Sequence, residues 1–162
     1  MINAGFTDLL PTLLAAVLAL LLLAAAAIDV RTFTVSNRLN LTVALLAPLF
    51  WWASDLPLWP GATWQVGTAA AVFVLLALAF QMGMMGGGDV KLAAALALWF
   101  PPLVTVKFLV LMSLAGGVVT ALALLAHRWA RREGRPKIPY GVAIAFGGLA
   151  ILAEPYLNHF AR

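Results

Sequence analysis

The sequence predicts an all-α integral membrane protein with six transmembrane helices and a short fourth helix. Two observations carry this prediction. The first is composition: 64% of the 162 residues are hydrophobic, 10% are charged, and the mean hydropathy is +1.02. Ten basic and six acidic side chains are too few to cover a soluble protein, since soluble domains are about one quarter charged. The second is that apolar runs recur along the chain. Its length predicts one domain, residues 1–162.

Six apolar segments follow one another. A bilayer core of ~30 Å needs about 20 helical residues, and residues 9–28 supply them without a charge. Asp8 precedes this run and no basic residue does, so we expect a retained span and not a cleaved secretory signal. A loop at residues 55–64, rich in Pro, Gly and Trp, separates the second and third segments. The other predicted spans are 39–54, 64–82, 90–100, 103–126 and 139–157.

The fourth segment is short for a membrane helix. From Asp89 to Phe100 it has 12 residues, which is about 18 Å of helix at 1.5 Å per residue. The basic loops on either side of segments four and five must share a face, so segment four must also cross. We therefore expect its start to lie in a thinned or water-filled recess of the membrane.

The basic residues predict the orientation. Three loops, at residues 29–38, 83–91 and 127–138, contain eight of the ten, namely Arg31, Arg38, Lys91, Arg128, Arg131, Arg132, Arg135 and Lys137. The opposite side has only Lys107 and Arg162. Because basic loops remain cytoplasmic, we place these loops in the cytoplasm and both termini outside. Topology accounts for the positive charge, so we expect membrane lipid and no nucleic acid as a partner.

Two acidic residues, Asp29 and Asp89, lie where an apolar segment meets the predicted cytoplasmic boundary. An ionisable group near membrane depth is costly, which makes it a functional candidate. Asp29 has a second interpretation, in which it begins a loop and pairs with Arg31 or Arg38. Asp89 also has one, as a helix N-cap.

Three consecutive glycines, Gly86, Gly87 and Gly88, precede Asp89. An N-cap does not require them, whereas glycine lets another chain approach the backbone closely. We therefore interpret the glycine run as a place where an extended peptide could bind. Lys91 has two interpretations. In one it tunes the pKa of Asp89 or contacts the substrate, and in the other its ammonium group reaches the lipid headgroups.

Two carboxylates brought together suit peptide hydrolysis, because one accepts a proton from water while the other, protonated, polarises the carbonyl. Helix dipoles favour Asp89, at a helix N-terminus, as the ionised base and Asp29, at a C-terminus, as the proton carrier. Two other functions remain open at this point. Membrane aspartates are equally typical of a small proton- or ion-coupled transporter, and the chain could be a non-catalytic subunit of a secretion assembly.

At these residues the chain resembles the prepilin peptidases, membrane aspartic peptidases that cleave leader peptides from type IV prepilins. The resemblance rests on Asp29, on Gly86-Gly87-Gly88-Asp89 with Val90-Lys91-Leu92 after it, and on Pro139-Tyr140-Gly141-Val142-Ala143. The short length is similar to that of the branch serving Tad (Flp) pili. Where the family often has Ile-Pro-Asn after the first Asp, this chain has Val35-Ser36-Asn37.

The resemblance implies that Asp29 and Asp89 are the catalytic pair. It implies prepilin or pseudopilin substrates, cleaved at the cytoplasmic face of the bacterial inner membrane. We expect Gly86, Gly87, Gly88, Lys91 and Asn37 to position the substrate or support the site. No cofactor or metal is expected. The chain has no cysteine, so we predict no four-cysteine zinc insert and no methyltransferase module of the kind that longer members have.

Overall fold

The structure is a computed structural model that describes residues 9–129 and 138–160, apart from the side chains of residues 155–160. Within these ranges every regular element is a helix, which confirms the all-α prediction for this part of the chain. The helices are α1 (Leu9–Thr32), α2 (Asn37–Ala53), α3 (Thr63–Gln81), α4 (Gly87–Ala97), α5 (Pro102–Trp129) and α6 (Tyr140–Phe160). A π-helical turn at Leu58–Ala62 precedes α3 inside the predicted 55–64 loop.

Three of these elements are long and apolar enough to cross a membrane, namely α1, α5, and α3 together with the turn before it. Helix α2 has 17 residues and α4 has 11. Within α6, Tyr140–Glu154, where the side chains are described, forms a shorter apolar helix. Six crossings and outward termini remain predictions. Residues 1–8, 161 and 162 lie outside the described residues, as do Arg131, Arg132, Arg135 and Lys137.

Helix α1 extends past its predicted end at residue 28, so Asp29 lies inside the helix. Its buried residues recur every three or four positions, at Leu14, Leu18, Leu22, Ala25 and Asp29. This spacing defines one face of a helix, and Asp29 continues the face that packs against the protein. The helix ends at Thr32, and the next residue, Phe33, has a left-handed φ of 55°. The interpretation of Asp29 as the start of a loop, paired with an arginine, is therefore wrong.

Helix α4, predicted over 90–100, begins three residues earlier and forms the centre of the bundle. It packs against α2, α3 and α6. From Asp89 to Ala97 every residue is buried except Lys91, which is exposed, and Ala94, which is half-buried. A helix surrounded by protein does not need the length that lipid demands, because neighbouring helices cover its ends.

Two tryptophans join α2 to the end of α4. The indole N–H of Trp51 donates to the Leu98 carbonyl at 2.8 Å, and that of Trp99 donates to the Val43 carbonyl at 3.0 Å. The N–H groups of both indoles are thus used inside the protein. These bonds fix α2 alongside α4 and so position the first turn of both helices.

Candidate active site

Asp29 is held by the first turn of α6. Its side chain is 1% exposed, and its Oδ2 accepts a hydrogen bond of 2.7 Å from the backbone N–H of Gly141. The amide of Val142 also donates to it. A Cβ atom at position 141 would lie 2.8 Å from Oδ2 and 2.9 Å from Cγ of Asp29. Only glycine at position 141 therefore lets the backbone approach this carboxylate.

The electrostatic setting of Asp29 differs from the one expected. The C-terminal end of α1 by itself disfavours a carboxylate at Asp29. The structure brings the free amides of the α6 N-terminus to the same carboxylate, and such amides stabilise negative charge. Both aspartates therefore meet a helix N-terminus, so helix dipoles no longer identify Asp29 as the proton carrier.

Asp89 is the third residue of α4 and is 7% exposed. The N-cap is Gly86, and the Asp89 carboxylate accepts a hydrogen bond from the Gly86 backbone, as in a capping box. The interpretation of Asp89 as the N-cap is therefore wrong, because Asp89 lies three residues after the N-cap residue. A Cβ atom on Gly86 would lie 2.8 Å from Oδ2 of Asp89. The other oxygen, Oδ1, is buried and has no hydrogen-bond partner among the described residues.

Both carboxylates lie near the start of α6, since Gly141 donates to Asp29 and Tyr140 lines the same cleft as Asp89. They are near enough for the charge of Asp29 to act on Asp89. An open cleft of about 340 Å³ adjoins Asp89, and we call it the active-site cleft. It is lined by residues 32–34 and 83–86 with Asp89, Ile138 and Tyr140. Tyr140 thus borders the cleft beside Asp89, while the next residue, Gly141, binds Asp29.

The α1–α2 connection packs directly on the first turn of α4. A Cβ atom on Gly88 would lie 2.5 Å from the Val35 carbonyl oxygen. Asn40, on α2, donates from Nδ2 to the Gly88 carbonyl at 2.8 Å. Two of the glycines are therefore needed for packing within the protein. Gly86 leaves room for the Asp89 carboxylate, and Gly88 leaves room for the Val35 backbone.

Asn37 and Lys91 form a second link between α2 and α4. The ammonium group of Lys91 donates to Oδ1 of Asn37 at 2.9 Å. Ser36 caps α2, since its hydroxyl accepts a hydrogen bond from the Leu39 amide at 3.3 Å. The serine that replaces the family's proline is thus a suitable N-cap residue. A substrate-positioning role for Asn37 and Lys91 remains a prediction.

Gly88→Ala is expected to destabilise the protein by about 1–3 kcal/mol, the usual cost of inserting a methyl group where no space exists. Its Cβ would meet backbone atoms of Val35, which no side-chain rotation can move away. Gly87→Ala is the matched control, because its Cβ would make an ordinary 3.4 Å contact with Phe80. Thermal unfolding in detergent, followed by circular dichroism, measures both. Equal midpoints for the two variants would contradict the close approach at Gly88.

A metal site is not apparent in the described ranges. No group of three or more His, Cys, Asp or Glu side chains is placed there to hold an ion. The expectation that the reaction needs no metal or cofactor remains a prediction.

Sequence reasoning missed two residues of this site. Gly141 was noted only as part of a motif, although it contacts Asp29. Asn40 was not noted at all, yet it joins α2 to Gly88 and is 4% exposed. The sequence did contain a signal for Asn40. Val43 and Ala47 follow it by three and seven positions, a spacing that places all three residues on one face of a helix, and this face of α2 is buried.

The fold and site define a membrane-embedded helical protein with a pair of buried carboxylates beside an open cleft. In a comparison with protein families, residues 16–121 match the type IV leader peptidase family. This range is well over half of the 162 residues, and the chain therefore belongs to the type IV leader peptidase family. The match includes Asp29 and Asp89 but ends before Gly141. Searches of curated proteins and of solved structures gave no match.

Proposed function

We propose that this leader peptidase is an aspartic endopeptidase that removes the leader of Flp-like prepilins at the cytoplasmic face of the membrane. Asp29 and Asp89 are its catalytic pair. The observation that carries the proposal is the burial of these two carboxylates, which come from separate helices and both lie near the α6 N-terminus. Such acids are expensive to bury, and an uncharged acceptor such as asparagine could accept the same backbone hydrogen bonds from Gly141 and Gly86.

The proposed reaction is general acid–base hydrolysis of a peptide bond. One carboxylate takes a proton from water as the water oxygen attacks the scissile carbonyl, and the other carboxyl donates a proton to that carbonyl oxygen. When the C–N bond breaks, the leaving amine receives a proton and a carboxylic acid remains on the leader. Asp89 lines the active-site cleft, and its buried Oδ1 has no hydrogen-bond partner among the described residues. We assign to this oxygen the proton of the attacking water.

Asp29 needs a change of structure to take part. It does not line the active-site cleft, and the first turn of α6 covers its carboxylate. We infer that the substrate displaces Ile138 and Tyr140, which border the cleft and directly precede Gly141. Movement of a covering segment during substrate binding is common in enzymes.

The described charges support a cytoplasmic site. Arg31, Arg38, Lys91 and Arg128 belong to helix ends on the side of the aspartates. At the opposite end, Lys107 is neutralised by Glu154, with an N–O distance of 3.0 Å. An excess of basic residues at the aspartate end is typical of the cytoplasmic side.

The transporter alternative has no support in the comparisons. Transporters place their substrate and ion sites near the bilayer midplane. Asp29 lies in the last turns of α1 and Asp89 in the first turn of α4, so both acids lie toward one end of the bundle.

Processing of a prepilin tests the proposed function. The chain is co-expressed with a Flp-like prepilin in a host that has no prepilin peptidase of its own. We expect the prepilin mass to fall by that of the leader, with a new N-terminus ahead of the apolar helix. An unchanged prepilin mass, with the peptidase present in the membrane, would refute the proposal.

The proposed orientation predicts which positions a membrane-impermeant maleimide reaches. The chain has no cysteine, so single-cysteine variants label cleanly. Met82→Cys, at a position 75% exposed after α3, is expected to react only after the membrane is permeabilised. Ser54→Cys, at the far end of α2, is expected to react in intact spheroplasts. The reverse pattern would place the active-site cleft outside the cytoplasm.

A further inference from the structure

A second concave surface lies between α2 and α3. Both helices pack against α4, whereas the contact between α2 and α3 themselves is much smaller than the contact of either helix with α4. The groove between them has a volume of about 500 Å³. On α2 it is lined by residues at positions i, i+3, i+4 and i+7, starting at Asn37. The same spacing on α4 starts at Lys91, and Ala69 and Phe73 contribute from α3.

The shape of this α2–α3 groove suits a helix. It follows about 10 Å of α2 and α4, since seven residues rise 1.5 Å each. Ala44, Ala69 and Ala94 line it, and small side chains let membrane helices approach closely. Leu41 and Phe73, at its edges, are 58% and 44% exposed, so apolar side chains face whatever lies in the groove.

A polar group inside the groove indicates what its occupant must provide. Asn40 lines the groove and is 4% exposed. Its Nδ2 is bonded to Gly88, but its Oδ1 is buried without a hydrogen-bond partner among the described residues. A buried acceptor without a donor is costly. The first N–H groups of a helix lack partners in that helix and can donate, whereas a lipid acyl chain has no donor.

The groove and the active-site cleft are both bordered by residues from the region of α2 and from the region of α3. On one side, residues 32–34 border the cleft and α2 borders the groove. On the other side, residues 83–86 border the cleft and α3 borders the groove. The first turn of α4 separates the two spaces, and Gly86, Gly87 and Gly88 present no side chains there. The Val35 backbone covers Gly88 and the Phe80 ring lies beside Gly87, whereas Gly86 is exposed. A peptide that joins the two spaces would therefore cross this turn at Gly86.

We propose that the α2–α3 groove holds the apolar helix of the substrate, with the first turn of that helix at Asn40. The extended segment before the helix then crosses the glycine turn and reaches Asp89. This assignment rests on the proposed function, and it explains why a peptidase would leave two of its helices apart. It also fixes the distance between the start of the substrate helix and the bond that is cut.

Cysteine cross-linking tests the occupant. Phe73→Cys lies in the groove, and its control, Val74→Cys, is 61% exposed and outside it. Each is combined with a prepilin that has one cysteine in the first turns of its apolar helix, and cleavage is measured in the same membranes. We expect several-fold more peptidase–substrate cross-link for Phe73→Cys. Equal yields, or cross-links only between two peptidase chains, would overturn the assignment.

Filling the groove provides a kinetic test. Ala44→Leu and Ala94→Leu are expected to raise KM for the full prepilin by about tenfold. They should leave cleavage of a short peptide without the apolar helix unchanged, which a folding defect would not do. Ala71→Leu, exposed on α3 and outside the groove, is the control. Equal losses on both substrates would overturn the assignment. If the wild-type protein cleaves neither substrate, the proposed function itself is refuted.

Discussion

Asp29→Asn and Asp89→Asn are each expected to slow prepilin processing by at least about 100-fold, the lower end of what general acid–base groups contribute. Asparagine has nearly the shape of aspartate but cannot take up a proton from water. Its carbonyl oxygen still accepts a hydrogen bond, so the Gly141 amide and the Gly86 backbone keep their partners. The loss should therefore appear as reduced processing with normal amounts of membrane protein, measured by pulse-labelling of the prepilin.

Asp55→Asn is the matched control for these two variants. Asp55 is exposed, follows α2 at the end away from the site, and has a φ of 51°. Asparagine adopts this left-handed conformation readily, so we expect wild-type processing. Processing at wild-type rate by Asp29→Asn or Asp89→Asn, at equal expression, would remove that residue from the catalytic pair.

Gly141→Ala is expected to reduce the cleavage rate by about 10- to 100-fold. Its Cβ would lie 3.0 Å or less from three atoms of Asp29, so the carboxylate or the start of α6 must shift. Misplacing a catalytic group by about 1 Å can cost 100-fold in rate. Single-turnover cleavage by the purified variant measures this effect.

Gly117→Ala separates this effect from the general cost of altering a helical glycine. No atom lies within 4 Å of a Cβ built on Gly117, which is in α5, and alanine favours a helix by about 1 kcal/mol over glycine. We expect unchanged activity and equal or higher stability. Equal activity in Gly117→Ala and Gly141→Ala would mean that the Asp29–Gly141 contact does not matter for the reaction.

Much of this architecture was predictable because membranes impose simple rules. Long apolar runs predicted α1, α3 and α5, and the scarcity of charge made Asp29 and Asp89 conspicuous. The glycine run before Asp89 predicted a close backbone approach. The structure places the Val35 backbone there, and the binding of an extended peptide to these glycines remains a prediction.

Other features depend on contacts between distant residues. Asp29 and Gly141 are 112 positions apart, so the environment of Asp29 could not be read from α1 alone. The dipole of α1 disfavours a carboxylate at Asp29, but the N-terminus of α6, which is distant in sequence, stabilises it. The short length of α4 predicted that its start lies in a recess of the membrane. The structure instead surrounds α4 with α2, α3 and α6, and this burial depends on three helices that are separate in sequence.

The central claim is that Asp29 and Asp89 act as a unit on one peptide bond. Single-turnover cleavage of a prepilin by the purified enzyme, its two Asp→Asn variants and the double variant tests it most directly. Residues that act together give losses that do not multiply, so we predict that the double variant is no slower than either single one. A double variant slower by the product of the single losses, or one that still cleaves like the wild type, would contradict the claim.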